Sequence, residues 1–257
     1  MEDLRVTLIQ SALVWENPEA NRQHFAQRIA QLEEPTDLII LPEMFTTGFT
    51  MNNALLAETM DGPTLQWMRE MAQQRGAVIT GSFIAKEDGH FYNRLVWMQP
   101  DGAYQHYDKR HLFTLAGEHN YYTPGQQRLL VEWKGWKIMP LICYDLRFPV
   151  WSRNVERYDL LIYVANFPER RAYAWQQLLI ARAIENQCYT IGVNCVGVDG
   201  KENSYSGDSA LHVYEGQTVY RITHAEDVFT TTLSASAQQT FREKLAFLED
   251  QDVFVIP

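Results

Sequence analysis

The chain has 257 residues, 46% hydrophobic and 21% charged, so it can bury a large core without staples. A formal net charge of -10 and the lack of any basic run argue against a nucleic-acid partner. Three cysteines without a CxxC are too few for a disulfide framework, the first residues carry no apolar signal segment, and no apolar run approaches the ~20 residues that span a bilayer. A soluble protein of a reducing, cytoplasmic compartment is expected, with no membrane partner.

Leu4, Val6 and Leu8 alternate with Arg5, Thr7 and Ile9, which predicts a strand over 4–10 with apolar character on both faces. Asn17-Pro18-Glu19 opens a helix, and Phe25, Ile29 and Leu32 continue it toward Glu34-Pro35. A short strand over 37–41 stops at Pro42-Glu43. Asp61-Gly62-Pro63 opens a second helix with Leu65, Met68 and Ala72 inward and Gly76 beyond its end. Residues 77–84 form a strand, and Pro100-Asp101-Gly102 turns a hairpin between 91–98 and 103–107. Residues 112–126 read as loop. Lys134-Gly135 turns a second hairpin between 129–133 and 136–142. A strand over 159–165 halts at Asn166-Phe167-Pro168. A helix over 172–187 carries Trp175, Leu178, Leu179 and Ala183 on one side. A strand over 189–196 is closed by Asp199-Gly200. A third hairpin joins 209–214 to 217–222, a strand covers 228–233, and a last helix runs over 236–247. Helices alternating with strands and hairpins mean an α/β fold with a mixed sheet or pair of sheets. No linker, repeat or low-complexity segment divides the chain, so 1–257 is read as a single domain.

Three apolar strands end in polar groups that packing rarely selects: Glu43, Lys109 and Cys143. The run from Ile138 to Ile142 has the character of a buried strand, although Pro140 argues for an edge position or a bulge. Cys143 closes it, and Pro149 is placed to open a helix. A thiol at a strand's C-terminal end sits where open α/β sheets hold their sites, near backbone N–H groups that favour thiolate. The alternative is a small buried hydrophobe. If the three ends share one rim, the carboxylate can serve as general base, the thiolate can attack a carbonyl or nitrile carbon, and Lys109 with a backbone N–H near Tyr144 can hold the oxyanion. Lys109 would also favour the thiolate. Each member has a plainer role. Glu43 could cap a strand, Lys109 could belong to an exposed charged turn, and Glu118, which could orient Lys109, could be an exposed loop acid. Cys188 and Cys195 read as core. His106, His111 and His119 lie close in sequence but without HExxH or cysteine partners, so no metal site is expected. No GxGxxG or GxxxxGK[ST] occurs, so no nucleotide cofactor is inferred, and the expected cofactor set is none.

Pro42-Glu43-Met44-Phe45, Asp108-Lys109-Arg110-His111-Leu112-Phe113 and Ile142-Cys143-Tyr144-Asp145-Leu146-Arg147-Phe148-Pro149 resemble the three signature segments of the nitrilase superfamily of carbon–nitrogen hydrolases. Tyr122-Thr123-Pro124-Gly125, Ala165-Asn166-Phe167-Pro168, 181–186 and Gly207-Asp208-Ser209 fit as supporting segments, and the likeness runs from Leu4 to about Leu233. The resemblance implies an α-β-β-α two-sheet sandwich, a Glu–Lys–Cys triad of Glu43, Lys109 and Cys143, and a second glutamate at Glu118. It also implies pairing into a homodimer. Within the superfamily the segments around Glu43 and Cys143 look most like the omega-amidases, which hydrolyse the side-chain amides of 2-oxoglutaramate and 2-oxosuccinamate. The alternatives are an N-carbamoyl amidase, a nitrilase, or a non-catalytic interaction protein on the same fold. Phe167 stands where many members have tryptophan. The small-molecule amide is expected to meet Tyr144, Arg147, Asn166 and Phe167. Arg147 is a candidate grip for a substrate carboxylate, with a structural pairing to Asp145 as the alternative. The apolar tail Val253-Phe254-Val255-Ile256-Pro257 looks exposed unless it docks.

Overall fold

Period-2 alternation in the strands sorts the apolar residues between two cores. The computed structural model describes residues 1–255. In order, the elements are β1 (Leu4–Gln10), α1 (Pro18–Ala30), β2 (Leu38–Ile40), α2 (Asn53–Leu56), α3 (Pro63–Arg75), β3 (Val78–Glu87), β4 (His90–Met98), β5 (Tyr104–Asp108), β6 (Val131–Trp133), β7 (Trp136–Ile142), β8 (Leu160–Ala165), α4 (Ala172–Asn186), β9 (Tyr189–Asn194), β10 (Val196–Val198), β11 (Ser204–His212), β12 (Thr218–Thr223), β13 (Asp227–Leu233) and α5 (Ala235–Lys244). One sheet runs β13-β1-β2-β3-β4-β5 and the other β10-β11-β9-β8-β7-β6, with β12 on β11. Leu4, Val6, Leu8, Leu38 and Ile40 face the second sheet and share a core with Ile138, Ile142 and Ile162. Ile9, Ile39 and Leu41 point the other way, under Phe25 and Ile29 of α1 and Leu65 and Met68 of α3. The second sheet is covered by α4, which packs on β9 and β11. This is the expected α-β-β-α sandwich. Among the described residues no helix is long and apolar enough to cross a membrane.

Most elements fall where the sequence places them, and the departures have local causes. Helix α1 stops at Ala30 rather than near Glu34, where the Arg75 guanidinium takes the Leu32 carbonyl (3.1 Å) and the Glu34 carbonyl (3.3 Å). Strand β11 begins at Ser204, five residues before the expected 209, because Asp199 accepts from the Lys201 and Asn203 amides and turns Val196–Val198 back on 204–206. The last helix ends at Lys244, and Phe247–Asp250 forms a separate 3-10 turn. The turn α2 was not expected.

One expectation holds locally and one is corrected. Strand β7 lies between β6 and β8, but Pro140 itself stands at an edge position on the β6 side. Proline is tolerated there because β6 pairs only as far as Val131↔Ile138, leaving β7 without a partner on that side beyond it. Pro149 opens no helix. The helical turn comes earlier, as a 3-10 segment over Cys143–Arg147, and Pro149 lies in the turns that follow.

Candidate active site

The parallel units β1-β2-β3 and β7-β8-β9 point the same class of strand end at one rim. Glu43 follows β2, Lys109 follows β5, Cys143 follows β7 and Asn166 follows β8. Lys109 Nζ donates to Glu43 Oε1 (2.8 Å) and to both oxygens of Glu118 (3.1 and 3.0 Å). Asn93 Nδ2 donates to Glu43 Oε1 (2.8 Å) and reaches Glu118 Oε1 (3.4 Å). The Asn166 amide donates to Glu43 Oε2 (2.8 Å). Glu43, Glu118 and Lys109 are all buried. The structure therefore brings the three strand-end residues and Glu118 together, and none is an exposed cap, turn or loop acid.

Cys143 sits at the sharp bend between β7 and the 3-10 turn, with φ +44° in the left-handed region that a side chain rarely adopts. Asp145 holds that bend. Its carboxylate accepts from the Ile142 amide (3.1 Å), Tyr107 Oη (2.7 Å) and the His111 amide (3.0 Å), tying the turn to the loop after Lys109. Gly125 closes the Lys109 strand end from behind. Its amide donates to the Lys109 carbonyl (3.0 Å), and a Cβ there would lie 2.1 Å from the Asp108 carbonyl oxygen. As the second residue of the turn, Tyr144 has an amide without an intrahelical acceptor.

The electrostatics give Lys109 the expected effect on the thiol but set larger ones against it. Burial alone would push Lys109 down, but Glu118 and Glu43 outweigh it and hold the ammonium above its ordinary range. Burial also raises Glu118, with Glu43 adding to it and Lys109 opposing. Cys143 is raised well above the usual thiol range, first by burial and then by Glu43, with Lys109 only partly compensating. Lys109 favours the thiolate, but its charge is shared with two carboxylates, and burial and Glu43 outweigh it. The thiol lies beside a base.

Above the sulfur lies a cavity of about 140 Å³. Tyr144, Arg147, Asn166 and Phe167 line it. Arg147 does not pair with Asp145, whose oxygens are taken. Its guanidinium lies over the Phe167 ring, 5.7 Å from the centroid. The polar groups of Asn166 turn inward: Nδ2 donates to the Glu43 carbonyl, and Oδ1 accepts from Cys195 Sγ (2.9 Å). Cys188 and Cys195 are buried, as expected. Sequence reasoning missed Asn93, Arg170, Arg171, Lys201 and Tyr205. Asn93 had one signal, an amide inside the apolar run of β4. The others gave none, since each sits in an ordinary polar loop or strand.

A buried carboxylate–ammonium–thiol cluster at the strand ends of an α-β-β-α sandwich has the composition of a hydrolase site built around a cysteine. The sequence profile described as Carbon-nitrogen hydrolase matches residues 5–243, and the chain belongs to that family; it is a hydrolase of carbon–nitrogen bonds. It is 46% identical to omega-amidase YafV of Escherichia coli (strain K12), over 99% of each chain. It is 29% identical to the 2-oxoglutaramate amidase of Bacillus subtilis (strain 168), over 95% of this chain and 96% of that one. Its structure is similar to XC1258 from Xanthomonas campestris, a CN-hydrolase superfamily protein with an arsenic adduct in the active site. The two superpose with a TM-score of 0.98 at 48% identity, covering 100% of both chains.

Proposed function

We propose that the protein is an omega-amidase that hydrolyses the terminal amide of small 2-oxo dicarboxylic acid monoamides, such as 2-oxoglutaramate and 2-oxosuccinamate, to the 2-oxo acid and ammonia. The observation that carries the reaction is a buried Cys143 thiol lining a small cavity, gathered with the hydrogen-bonded Glu43 and Lys109. Full-length similarity to omega-amidase YafV supports the substrate.

Glu43 takes the thiol proton as sulfur bonds to the amide carbon, and the carbonyl electrons move onto oxygen. The Lys109 ammonium and the Tyr144 amide receive that oxyanion. As it collapses, the C–N bond breaks and Glu43 returns the proton to the leaving nitrogen, so ammonia departs and a thioester remains. Water then attacks the thioester, giving its proton to Glu43, and collapse expels sulfur, which recovers the proton. Glu118 and Asn93 keep Lys109 and Glu43 in register. The steps use these residues and water alone.

The chain works as one carbon–nitrogen hydrolase domain, in the cytoplasm, where its three free cysteines stay reduced. It pairs as a homodimer. Tyr173 and Ile184 expose apolar surface on the outer face of α4, as do Val253 and Val255 in the tail, of which Ile256 and Pro257 lie outside the described residues. A monomer mass by light scattering at micromolar concentration would refute the pairing.

The deciding experiment is ammonia release from 2-oxoglutaramate, a carbamoyl amino acid and a nitrile, with Cys143→Ala as control. Fast release from the first alone, abolished in a folded Cys143→Ala protein, is expected. Preference for either other substrate, or activity without the thiol, would overturn the reading.

A further inference from the structure

Trp15 lies in the connection between β1 and α1 and belongs to neither sheet, yet its indole reaches two loops of the cavity rim. Its benzo ring lies against Gly48, where an added Cβ would come 3.1 Å from Cε3. Its pyrrole ring lies against Gly200, where a Cβ would come 2.3 Å from Cδ1 and 2.4 Å from Nε1. Gly48 directly precedes Phe49, and Gly200 directly precedes Lys201. Phe49 and Lys201 both line the cavity, as do Met51 and Asn203 beyond them. The first loop follows β2 of one sheet and the second joins β10 to β11 of the other, so no strand ladder joins them.

The segment that carries Trp15 is anchored to the first loop. Buried Asn21 donates to the Val14 carbonyl (2.7 Å) and the Thr46 carbonyl (2.6 Å), and the Glu16 amide donates to the Thr47 carbonyl (2.9 Å). The Glu16 carboxylate accepts from Thr50 Oγ1 and from Asn52 Nδ2 (3.1 Å). Glu16 stands at φ +51°, a left-handed conformation that persists only where the surroundings over-determine it. On the second loop, Asp199 accepts from the Lys201 and Asn203 amides (2.8 and 2.9 Å). Phe49 in turn lies under the Lys109 ammonium, its ring centroid 5.1 Å from Nζ.

We propose that Trp15 is a positioning residue, a strut that sets the width of the active-site cavity by holding the Phe49 wall at a fixed distance from the Lys201 wall. The cavity is about 140 Å³. A misplacement of about 1 Å can cost ~10²-fold in rate, so a small shift of either wall is felt by an amide held against Cys143. At Gly200 the three atoms that a Cβ would meet first all belong to the indole, which makes that glycine a direct probe of the contact. The strut's effect on turnover rests on the amidase reading above; its control of access to the thiol does not.

The test labels Cys143 with a small and a bulky thiol reagent, iodoacetamide and N-phenylmaleimide, followed by intact mass with Cys143→Ala as the blank. The proteins are the wild type, Trp15→Ala, Trp15→Phe, Gly200→Ala and the Trp15→Ala, Gly200→Ala double variant. Trp15→Ala should raise the bulky-to-small rate ratio several-fold, while kcat/KM for 2-oxoglutaramate falls roughly 10- to 100-fold, the scale of that misplacement. Trp15→Phe, which keeps one ring, should lie between. Gly200→Ala, whose methyl strikes the indole, should shift the ratio too. It should add little to Trp15→Ala, because the methyl then enters the space the indole leaves. General loosening gives another pattern: both rates rise together, and the buried Cys188 and Cys195 add further adducts. That pattern, an unchanged ratio in Trp15→Ala or Gly200→Ala, or full additivity in the double variant would overturn the strut. If Trp15→Ala does not fold, the ratios in Trp15→Phe and Gly200→Ala decide. If the ratios follow this pattern but the wild type hydrolyses no amide, the strut stands and the amidase reading falls.

Discussion

Glu43→Gln separates the two things Glu43 does, and the prediction is that they move in opposite directions. Oε1 of Glu43 accepts from Lys109 and Asn93 at 2.8 Å each, and Oε2 accepts from the Asn166 amide at 2.8 Å. Glutamine keeps one acceptor and puts an NH2 in place of the other. Facing its oxygen to Lys109 sets NH2 against the Asn166 N–H, two donors in contact. The reverse orientation sets it against two donors and is worse. One unsatisfied buried donor costs ~1–3 kcal/mol, so the variant should fold but melt earlier. Turnover loses its general base, ~10²–10⁴-fold, or ~3–5 kcal/mol in activation free energy at 1.36 per decade. The thiol behaves differently. After burial, Glu43 is the largest influence holding the Cys143 proton on, so removing its charge lowers the thiol's pKa. Alkylation by iodoacetamide, followed by intact mass from pH 6 to 10, should rise at a lower pH in Glu43→Gln than in the wild type, while ammonia release collapses. Near-normal kcat would place the base elsewhere. An alkylation profile that stays put or moves up would show that Glu43 does not control the thiol.

Lys109→Met should cost ~10²–10³-fold in kcat and ~3–5 kcal/mol of stability at pH 7, because it strands Glu43 and Glu118 in a buried site. Burial raises Glu118 in the folded state, and a carboxyl raised on folding costs stability as pH rises above its unfolded value, so the deficit should shrink as pH falls through that raised folded value toward ~4.3. Urea melts showing the same deficit at pH 7 and pH 5 would refute the charge argument. Cys195 is expected to be a positioning residue, since its thiol donates to the side chain of Asn166, whose backbone N–H donates to the Glu43 carboxylate and whose side-chain NH2 donates to the Glu43 carbonyl. Cys195→Ala should lower kcat roughly 2- to 12-fold at unchanged KM, the worth of one neutral hydrogen bond, and Cys195→Ser should restore it. Serine and alanine variants that behave alike would leave Cys195 as packing only.

The sequence by itself determined what depends on neighbours along the chain. Asn17 caps α1 by accepting from the Ala20 amide, Gly76 ends α3 in the left-handed region, and period-2 apolar runs become strands, because capping, φ and strand parity are local physics. The candidate site was legible for the same reason: Glu43 and Cys143 each break an apolar run where burial would otherwise continue, Lys109 closes the polar strand β5, and the family likeness of those three segments then joined them. Only the tertiary structure decided the balance of charge around the thiol. Lys109 lowers the Cys143 thiol, but burial and Glu43 raise it more, and Glu118 folds back to share the ammonium. Arg171 meets the cavity only because the turn after β8 lies beside the loop after β5, and Cys195 reaches Asn166 only because β9 lies beside β8. Electrostatic energy depends on distance through space and on exposure to water. Sheet order sets both, and sheet order is written in no single segment of the chain.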